Sequence, residues 1–325
     1  MRLPQSLTQL ADGIHLWSPT PSGEPTWGLA NCVLIADGDE AALVDTPYDL
    51  TMTRALQKAA AAVLPAGVQV STVVNTHPNG DHTFGNSAFE GAEFVSTAAF
   101  AEHLCGEPGP REMQVLVGQS DPEDPVGAYM RRHFGRFDYT TSEVVAPTLT
   151  FSGTHRFTVG ATEVELTEVG PAHTAGDLIV HLPQQGVVCT GDVVFVGDHP
   201  VHWAGPLGRV VEVCEAVLAS GAQTIVPGHG PVIGPEGLRE YVGYVQDLRE
   251  RLHAHHRAGL DSLEAAKAVL ASGLGAELGL PERVVILAAT EYRHLDGDDS
   301  GPNVLALASA AARYAYGASD QTVGG

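Results

Sequence analysis

The sequence predicts an α/β protein in which two β-sheets pack face to face between helices, an αββα sandwich with a helical C-terminal extension. The main observation is one unit that occurs twice: a β-hairpin ending in aspartate, then a helix, then a strand ending in histidine. A second observation is that the chain becomes helical after Gly234. Because the two units are equivalent, we expect their histidine-bearing strand ends to face each other along one edge of the sandwich.

The first unit covers residues 31–77. Its hairpin reads NCVLIADGDEAALVD, two apolar runs around an Asp-Gly-Asp turn. Asp49 is placed to cap a helix that continues to Leu64 with an apolar stripe on one side. Residues 68–77, VQVSTVVNTH, then have the composition of a buried strand.

The second unit covers residues 177–229. The run DLIVHLPQQGVVCTGD predicts another hairpin, with its turn at residues 184–186. A helix is expected over residues 209–219 and a strand over residues 223–227, which runs into a Gly-His-Gly sequence.

An insertion rich in glycine, proline and charge separates the two units, and its length is typical of a lid or a substrate loop. In the extension we expect a helix over residues 241–257, a second over 262–271 with a capping box from Asp261 and Glu264, and a third near Pro281. We therefore predict a catalytic domain of residues 1–240, with the lid-like insertion at 100–152, and an extension of residues 241–325.

Charge and composition exclude several functions. The chain has 17 Lys and Arg against 39 Asp and Glu, a net charge of −22, which argues against nucleic acid or an anionic membrane as a partner. It has no CxxC pair, no signal-peptide pattern and no apolar stretch near the ~20 residues that cross a bilayer. We expect a cytoplasmic protein that acts on a small molecule, with a homodimer as an open alternative.

The clearest functional signal is the run NTHPNGDH at residues 75–82, where groups able to bind a metal crowd at the end of a strand. Pro78 and Gly80 prevent regular structure there, so the side chains can converge. Further candidates follow apolar strands in the same way: His173 in GPAHTAGD, Asp192 in CTGD and His229 in PGHG. Imidazoles with carboxylates suit zinc or iron, and this many suit two metals.

The series THxxxDH, HTxGD, TGD and PGHG, in this order, resembles the metallo-β-lactamase-fold hydrolase superfamily over roughly residues 13–234. The resemblance implies a metal-dependent hydrolase with one or two zinc ions. It assigns His77 and His173 to a first metal, Asp81, His82 and His229 to a second, and Asp192 to a bridge between them. Asp81 would also be the catalytic residue that orients water or carries a proton.

The chain departs from the family pattern HxHxDH at its third position, which is Asn79. An amide oxygen is a weaker ligand than imidazole for a borderline metal. Three arrangements stay open: two metals with Asn79 as a weak or outer ligand, one zinc in the second site, or one metal held by His77, His173 and Asp192. The last set has the composition of a non-haem iron site and is similar to that of persulfide-oxidising members, but it leaves His82 and His229 without a metal.

The runs GDHTFGN, VGPAHT, GDVVF and PERVVILAATEYRHLDG resemble thioesterase-like members, above all the cyclase/thioesterases of aromatic polyketide and antibiotic biosynthesis. That resemblance implies a polyketide thioester as substrate. The alternatives are a lactonase or glyoxalase-II-like hydrolase, an iron-dependent persulfide dioxygenase, and a binding protein that lost catalysis. Aromatic side chains near the ligands are the candidates for substrate binding: Trp27, Phe195, His202, Trp203 and Tyr292.

Overall fold

The computed structural model describes residues 2–19, 26–298 and 300–317. Its strands are β1 (Thr8–Ala11), β2 (Ile14–Trp17), β3 (Cys32–Asp37), β4 (Glu40–Val44), β5 (Thr72–Val74), β6 (Glu93–Thr97), β7 (Leu149–Phe151), β8 (Thr154–Val159), β9 (Thr162–Glu168), β10 (Leu178–Leu182), β11 (Val187–Phe195) and β12 (Thr224–His229). Its α-helices are α1 (Leu50–Ala60), α2 (Gly80–Thr83), α3 (Ala98–His103), α4 (Pro110–Gly118), α5 (Pro125–Phe134), α6 (Leu207–Ala219), α7 (Pro235–Arg257), α8 (Ser262–Ala271), α9 (Arg283–Leu295) and α10 (Val304–Tyr316).

The strands form two sheets. One has the order β1-β2-β3-β4-β5-β6-β7, and the other has the order β12-β11-β10-β9-β8. Pairing is antiparallel from β1 to β4 and parallel from β4 to β7, and β11 with β12 is the parallel pair of the second sheet. Parallel neighbours end at the same edge of a sheet, so β4, β5, β11 and β12 deliver the residues that follow them to one edge of the sandwich.

Three apolar layers account for the packing. The inner faces of both sheets bury a common core that includes Ile35 and Val44 from one sheet and Leu166 and Val180 from the other. The outer face of the larger sheet packs on α1, and that of the smaller sheet packs on α6 and α7. The αββα sandwich with a helical extension is therefore confirmed.

Both predicted hairpins and the two helices that follow them are present, with shifted ends. Asp49 caps α1 by accepting from Met52 N at 2.7 Å, but α1 ends at Ala60 rather than at Leu64. The strand predicted over residues 68–77 is paired only over β5. Val68 and Val70 instead pack beside α1, so their apolar pattern reports packing and not sheet pairing.

The insertion at residues 100–152 contributes the helices α4 and α5. Its end differs from the prediction, because β7 pairs in parallel with β6 and belongs to the larger sheet. In the extension, the capping box of α8 forms both of its hydrogen bonds, between Asp261 and Glu264. The predicted domain boundary between residues 240 and 241 falls inside α7, and α10 is an element that the sequence analysis did not predict. Residues 318–325 of the predicted extension lie outside the described residues.

Within the described ranges, every helix is too short or too polar to cross a membrane.

Candidate metal centre

The predicted ligands come together at the edge where β5, β11 and β12 end. A bulge in β11 turns Asp192 toward this edge, and the loop after β12 is anchored by Asn31, whose Nδ2 donates to Pro227 O and Gly230 O. Gly228 is required here because a Cβ on it would lie 1.9 Å from Asp192 Oδ1. The backbone must therefore approach the carboxylate too closely for any larger residue.

The second predicted site is complete in its donors. His229 Nε2 lies 3.4 Å from Asp81 Oδ2, 3.3 Å from Asp192 Oδ2 and 3.4 Å from His82 Nε2. His82 Nε2 lies 3.1 Å from Asp192 Oδ1. One ligand atom each from Asp81, His82 and His229 lies within 4.8 Å of the others, a spacing that suits a single metal ion.

The first predicted site is looser. Asp192 Oδ2 lies 3.9 Å from His77 Nε2 and 3.5 Å from His173 Nε2. Asn79 Oδ1 lies 2.7 Å from His173 Nε2, so its amide oxygen faces this site. Glu107 Oε2 fixes that orientation by accepting from Asn79 Nδ2 at 2.9 Å. Asn79 therefore occupies the third position of the family pattern with an oxygen donor directed at the site.

Hydrogen bonds behind the rings leave the Nε2 atoms free to bind a metal. His173 Nδ1 donates to Val201 O at 2.6 Å, and His82 Nδ1 donates to Asp45 Oδ2 at 2.8 Å. Thr76 Oγ1 donates to Asp45 Oδ2 at 2.8 Å, so it accepts from His77 Nδ1 at 3.0 Å. An imidazole whose Nδ1–H is donated in this way presents its Nε2 lone pair, which is the usual form of a metal ligand.

The pKa shifts of the candidate histidine ligands show where this cluster favours positive charge. Burial lowers the pKa of His77 well below its usual value and also lowers that of His173. Burial opposes protonation of His229 too, but the carboxylates of Asp192 and Asp81 outweigh it and raise its pKa to about 9. A metal cation at this position would displace that proton, because histidine binds metals in its neutral form.

The unpaired atoms fit a metal. His77 Nε2 and Asp192 Oδ1 are buried without a hydrogen-bond partner among the described residues. His173 Nε2 and Asn79 Oδ1 both present lone pairs at 2.7 Å, an arrangement that needs a proton or a cation between them. The donor set is nitrogen and oxygen, which suits zinc and iron. We conclude that the residues of this edge fit one or two divalent metal ions.

A cavity that is open to solvent lies above the ligands. Its floor is the ligand cluster, and its walls are mostly apolar and aromatic side chains from three parts of the chain. These include Trp27, Tyr48, Met113, Leu116, Met130, Phe134, Phe195, Trp203, Ile286 and Ala308. The insertion helices α4 and α5 and the extension helices α9 and α10 therefore supply much of the wall.

The predicted substrate-binding residues divide into two groups. Trp27, Phe195 and Trp203 line the cavity. His202 is fully buried behind Phe195, at 6.1 Å between ring centroids, with Nε2 3.3 Å from Tyr241 OH, so the prediction for His202 is corrected to a packing role. Tyr292 lies outside the cavity with its ring 4.8 Å from that of His256.

Tyr292 is on the wrong side of its helix. It follows Arg283, which does line the cavity, by nine residues, and nine steps of about 100° place a side chain on the opposite face. The prediction for Tyr292 is therefore also corrected.

Three residues of the site were not predicted. Asp45 accepts from Thr76 N, Thr76 Oγ1 and His82 Nδ1, and it has a left-handed φ of 62°. Its position directly after an apolar strand, as for Asp192, was an available signal. Glu107 and Arg283 reach the cavity from the insertion and from α9, and no local sequence pattern marks either of them.

Comparisons with known proteins agree with this geometry. The model of the metallo-beta-lactamase superfamily matches residues 25–229. Among solved structures, the stereoselective inverting sec-alkylsulfatase Pisa1 from Pseudomonas sp. is 17% identical with a TM-score of 0.66, and the match covers 90% of this chain and 50% of that one. The chain thus spans half the length of the alkylsulfatase.

Shorter relatives are covered almost completely. The metallo-β-lactamase FIM-1 from Pseudomonas aeruginosa, solved in its mono-zinc form, is 20% identical with a TM-score of 0.54, over 76% of this chain and 96% of that one. A metallo-β-lactamase from Erythrobacter litoralis is 19% identical with the same TM-score, over 76% and 99%. At these identities the structures show a shared fold. Because the family model covers well over half of the residues, the chain belongs to the metallo-beta-lactamase superfamily, whose members are generally metal-dependent hydrolases.

Proposed function

We propose that this member of the superfamily is a zinc-dependent hydrolase of thioesters with a bulky, largely apolar acyl group. The observation that carries the proposal is the position of the donor cluster at the floor of a cavity with aromatic walls. Such a cavity binds an apolar acyl chain and excludes water from it, while the carbonyl end reaches the polar floor.

Zinc held by Asp81, His82, His229 and Asp192, and by His77 and His173 where a second ion binds, would supply Lewis-acid polarisation of the carbonyl. The protein's own groups do the positioning. Asp45 and Val201 O hold His82 and His173 in one tautomer, and Glu107 directs the Asn79 oxygen.

Asp81 is the candidate for proton transfer. It lines the cavity, and its side chain is 16% exposed, against 5% for Asp192. A carboxylate at the cavity face can accept a proton from water and return it to the thiolate that leaves. Asp81→Asn keeps an oxygen donor but removes this base.

The thioester rests on the resemblance of GDHTFGN, VGPAHT, GDVVF and the α9 sequence to cyclase/thioesterases. For a polyketide substrate, the same polarisation of a carbonyl would support an intramolecular ring closure. A lactone is the second candidate, because it presents the same carbonyl chemistry to the same floor.

Metal content is the first test. The protein is purified without chelators or added metal and analysed by inductively coupled plasma mass spectrometry. We expect zinc at one or two equivalents per chain. Iron together with oxygen consumption on a persulfide would instead support the dioxygenase alternative, and a protein free of any metal would contradict the enzyme proposal.

Activity is the second test. Zinc-loaded protein is assayed on N-acetylcysteamine thioesters of increasing apolar acyl length, on aromatic lactones and on a sec-alkyl sulfate. We expect kcat/KM on thioesters to rise with acyl size and to fall at least a hundredfold in Asp81→Asn. Absence of turnover with any loaded metal, in wild type and in Asn79→His alike, would support the binding-protein alternative.

A further inference from the structure

Arg283 is the first residue of α9, it lines the cavity, and its side chain is only 1% exposed. Its guanidinium carbon lies 3.9 Å from the centroid of the Trp27 ring and 5.2 Å from that of Phe195. The Phe195 ring in turn stacks on the ring of His229 at 5.3 Å. One aromatic ring therefore separates a buried positive charge from the candidate metal ligands.

The hydrogen bonds of Arg283 are incomplete. Nη1 donates to His199 O at 3.0 Å. Nε is buried without a partner, and Nη2 makes no hydrogen bond with the part of the chain that the structure describes. Nε–H and the adjacent Nη2–H form one edge of the guanidinium plane, the edge that binds both oxygens of a carboxylate at once.

The charge of Arg283 is also not neutralised by direct contact. No carboxylate of the described residues lies within 4.0 Å of it as an ion pair. The neighbouring Glu282 carboxylate accepts from Tyr129 OH at 2.8 Å, and that of Asp198 accepts from Thr26 Oγ1. A cation at the N-terminus of a helix is moreover opposed by the helix dipole. The carboxylates of Asp198, Glu282 and Asp192 act on Arg283 without a direct ion pair, and its unbonded edge is open to an anion in the cavity.

We propose that Arg283 is a specificity-determining residue that binds a carboxylate on the acyl part of the substrate. This rests on the proposed function for the identity of the scissile bond, but not for the binding of the anion. The substrate class becomes an acyl thioester with an apolar or aromatic body and a carboxylate about one aromatic ring away from its carbonyl.

The alternative is that Arg283 only joins α9 to Trp27 and to His199 O. The two roles differ in what they predict for a pair of matched ligands. A binding role favours a carboxylate over the neutral carboxamide of the same shape, whereas a structural role affects both ligands equally.

The test uses two N-acetylcysteamine thioesters, one of glutaric acid and one of its monoamide, with zinc-loaded protein. We expect wild type to favour the carboxylate by about 10- to 100-fold in kcat/KM, mostly through KM, as for hydrogen bonds to charged groups. Arg283→Gln brings the ratio close to 1, and Arg283→Lys, which keeps the charge and loses the planar fork, gives an intermediate ratio. Arg239→Gln is the matched control, since Arg239 lies on α7 and pairs with the exposed Glu236.

A second readout is independent of hydrolysis. The amide analogues of both compounds, with NH in place of sulfur, are titrated into metal-depleted protein by calorimetry. We expect the carboxylate analogue to bind about tenfold or more tightly than the carboxamide, and Arg283→Gln to remove that difference. If Arg283→Gln does not fold, Arg283→Lys decides both readouts.

Equal weakening of both ligands in the Arg283 variants, or no preference in wild type, would overturn the inference. Failure of thioester hydrolysis with a retained binding preference would overturn only the proposed function. The two ideas therefore fail separately.

Discussion

Asp45→Asn tests whether the hydrogen bonds behind the histidines control the metal centre. Asp45 Oδ1 accepts from Thr76 N at 2.8 Å, and Oδ2 accepts from Thr76 Oγ1 and from His82 Nδ1, each at 2.8 Å. Asparagine keeps the first of these bonds through its carbonyl oxygen. Its NH₂ group then faces His82 Nδ1, so His82 must move its proton to Nε2, the atom that faces Asp192.

The expected loss follows from that change of tautomer. One hydrogen bond to a charged group is worth about 1.5–3 kcal/mol, which corresponds to roughly 10- to 100-fold in metal affinity. Outer partners of metal-binding histidines have effects of about this size. We expect zinc to bind Asp45→Asn about 10- to 100-fold more weakly than wild type, measured by competition with a chromophoric chelator at pH 7.5.

Asp49→Asn is the matched control. Asp49 is also a buried aspartate, four residues further on, but its carboxylate caps α1 by accepting from Met52 N. Asparagine is an equally good N-cap, so we expect zinc affinity to stay unchanged. Affinity of Asp45→Asn within about threefold of wild type, or an equal loss in Asp49→Asn, would refute the reasoning.

Three further predictions concern packing and protonation. Gly228→Ala places a Cβ 1.9 Å from Asp192 Oδ1 and should reduce the zinc bound per chain, measured by metal analysis. Gly243→Ala is the control: its Cβ meets nothing within 4 Å in the middle of α7, so it should raise the free energy of unfolding in urea by about 0.5–1 kcal/mol. Burial, with nearby arginines, lowers the pKa of His133 to about 3. Below pH 6.5 the unfolded chain therefore binds a proton at His133 that the folded chain does not bind. The wild type should therefore lose about 1.4 kcal/mol of its free energy of unfolding per pH unit between pH 6.5 and pH 3, a loss that His133→Gln does not show. Urea midpoints that shift equally in the two proteins between pH 7 and pH 5.5 would contradict this. Tyr129→Phe removes the hydrogen bonds of the hydroxyl with Trp27 and Glu282 and should lower the free energy of unfolding by about 1–3 kcal/mol in the same urea assay. An unchanged urea midpoint would contradict this prediction.

The candidate ligands could be predicted because each one lies in a recognisable local sequence pattern. His77, Asp81 and His82 sit in one short run after a strand, and His173 and His229 each lie beside a glycine-rich turn. Where parallel strands end, the fold class alone brings such residues to one edge. That inference needs no knowledge of loop conformation.

Other parts of the site could not be predicted in this way. Glu107 matters because the insertion brings it to Asn79, and Arg283 because α9 places it against Trp27. Those approaches are tertiary and leave no periodic or compositional trace. The prediction for Tyr292 fails for a related reason: the sequence does not show which face of a helix packs toward the cavity.

Asn86 shows how a resemblance can have a structural origin. It belongs to the run GDHTFGN, yet its side chain pairs with Asn75, with Nδ2 donating to Asn75 Oδ1 at 2.8 Å. Asn75 Nδ2 donates to His82 O at 2.8 Å and so holds the short helix that carries Asp81 and His82. Asn86 therefore supports the loop that carries these candidate ligands.

We propose that the wall above the ligands selects the substrate. The insertion, expected to be a lid or a substrate loop, is hydrogen-bonded to other parts of this wall. Tyr129 of α5 accepts from Trp27 Nε1 at 2.7 Å and donates to Glu282 at 2.8 Å, next to Arg283. Moving the insertion alone would break these two hydrogen bonds and leave the buried Tyr129 hydroxyl, the Trp27 N–H and the Glu282 carboxylate without these partners. Helix α5 therefore contacts the start of α9 through Glu282 and contacts α10 through the rings of Tyr129 and Tyr316. Both α9 and α10 lie beyond residue 229, where the match to the family model ends. Under the proposed function, the ligands supply the chemistry, and this wall, with the carboxylate subsite we propose at Arg283, selects the acyl group.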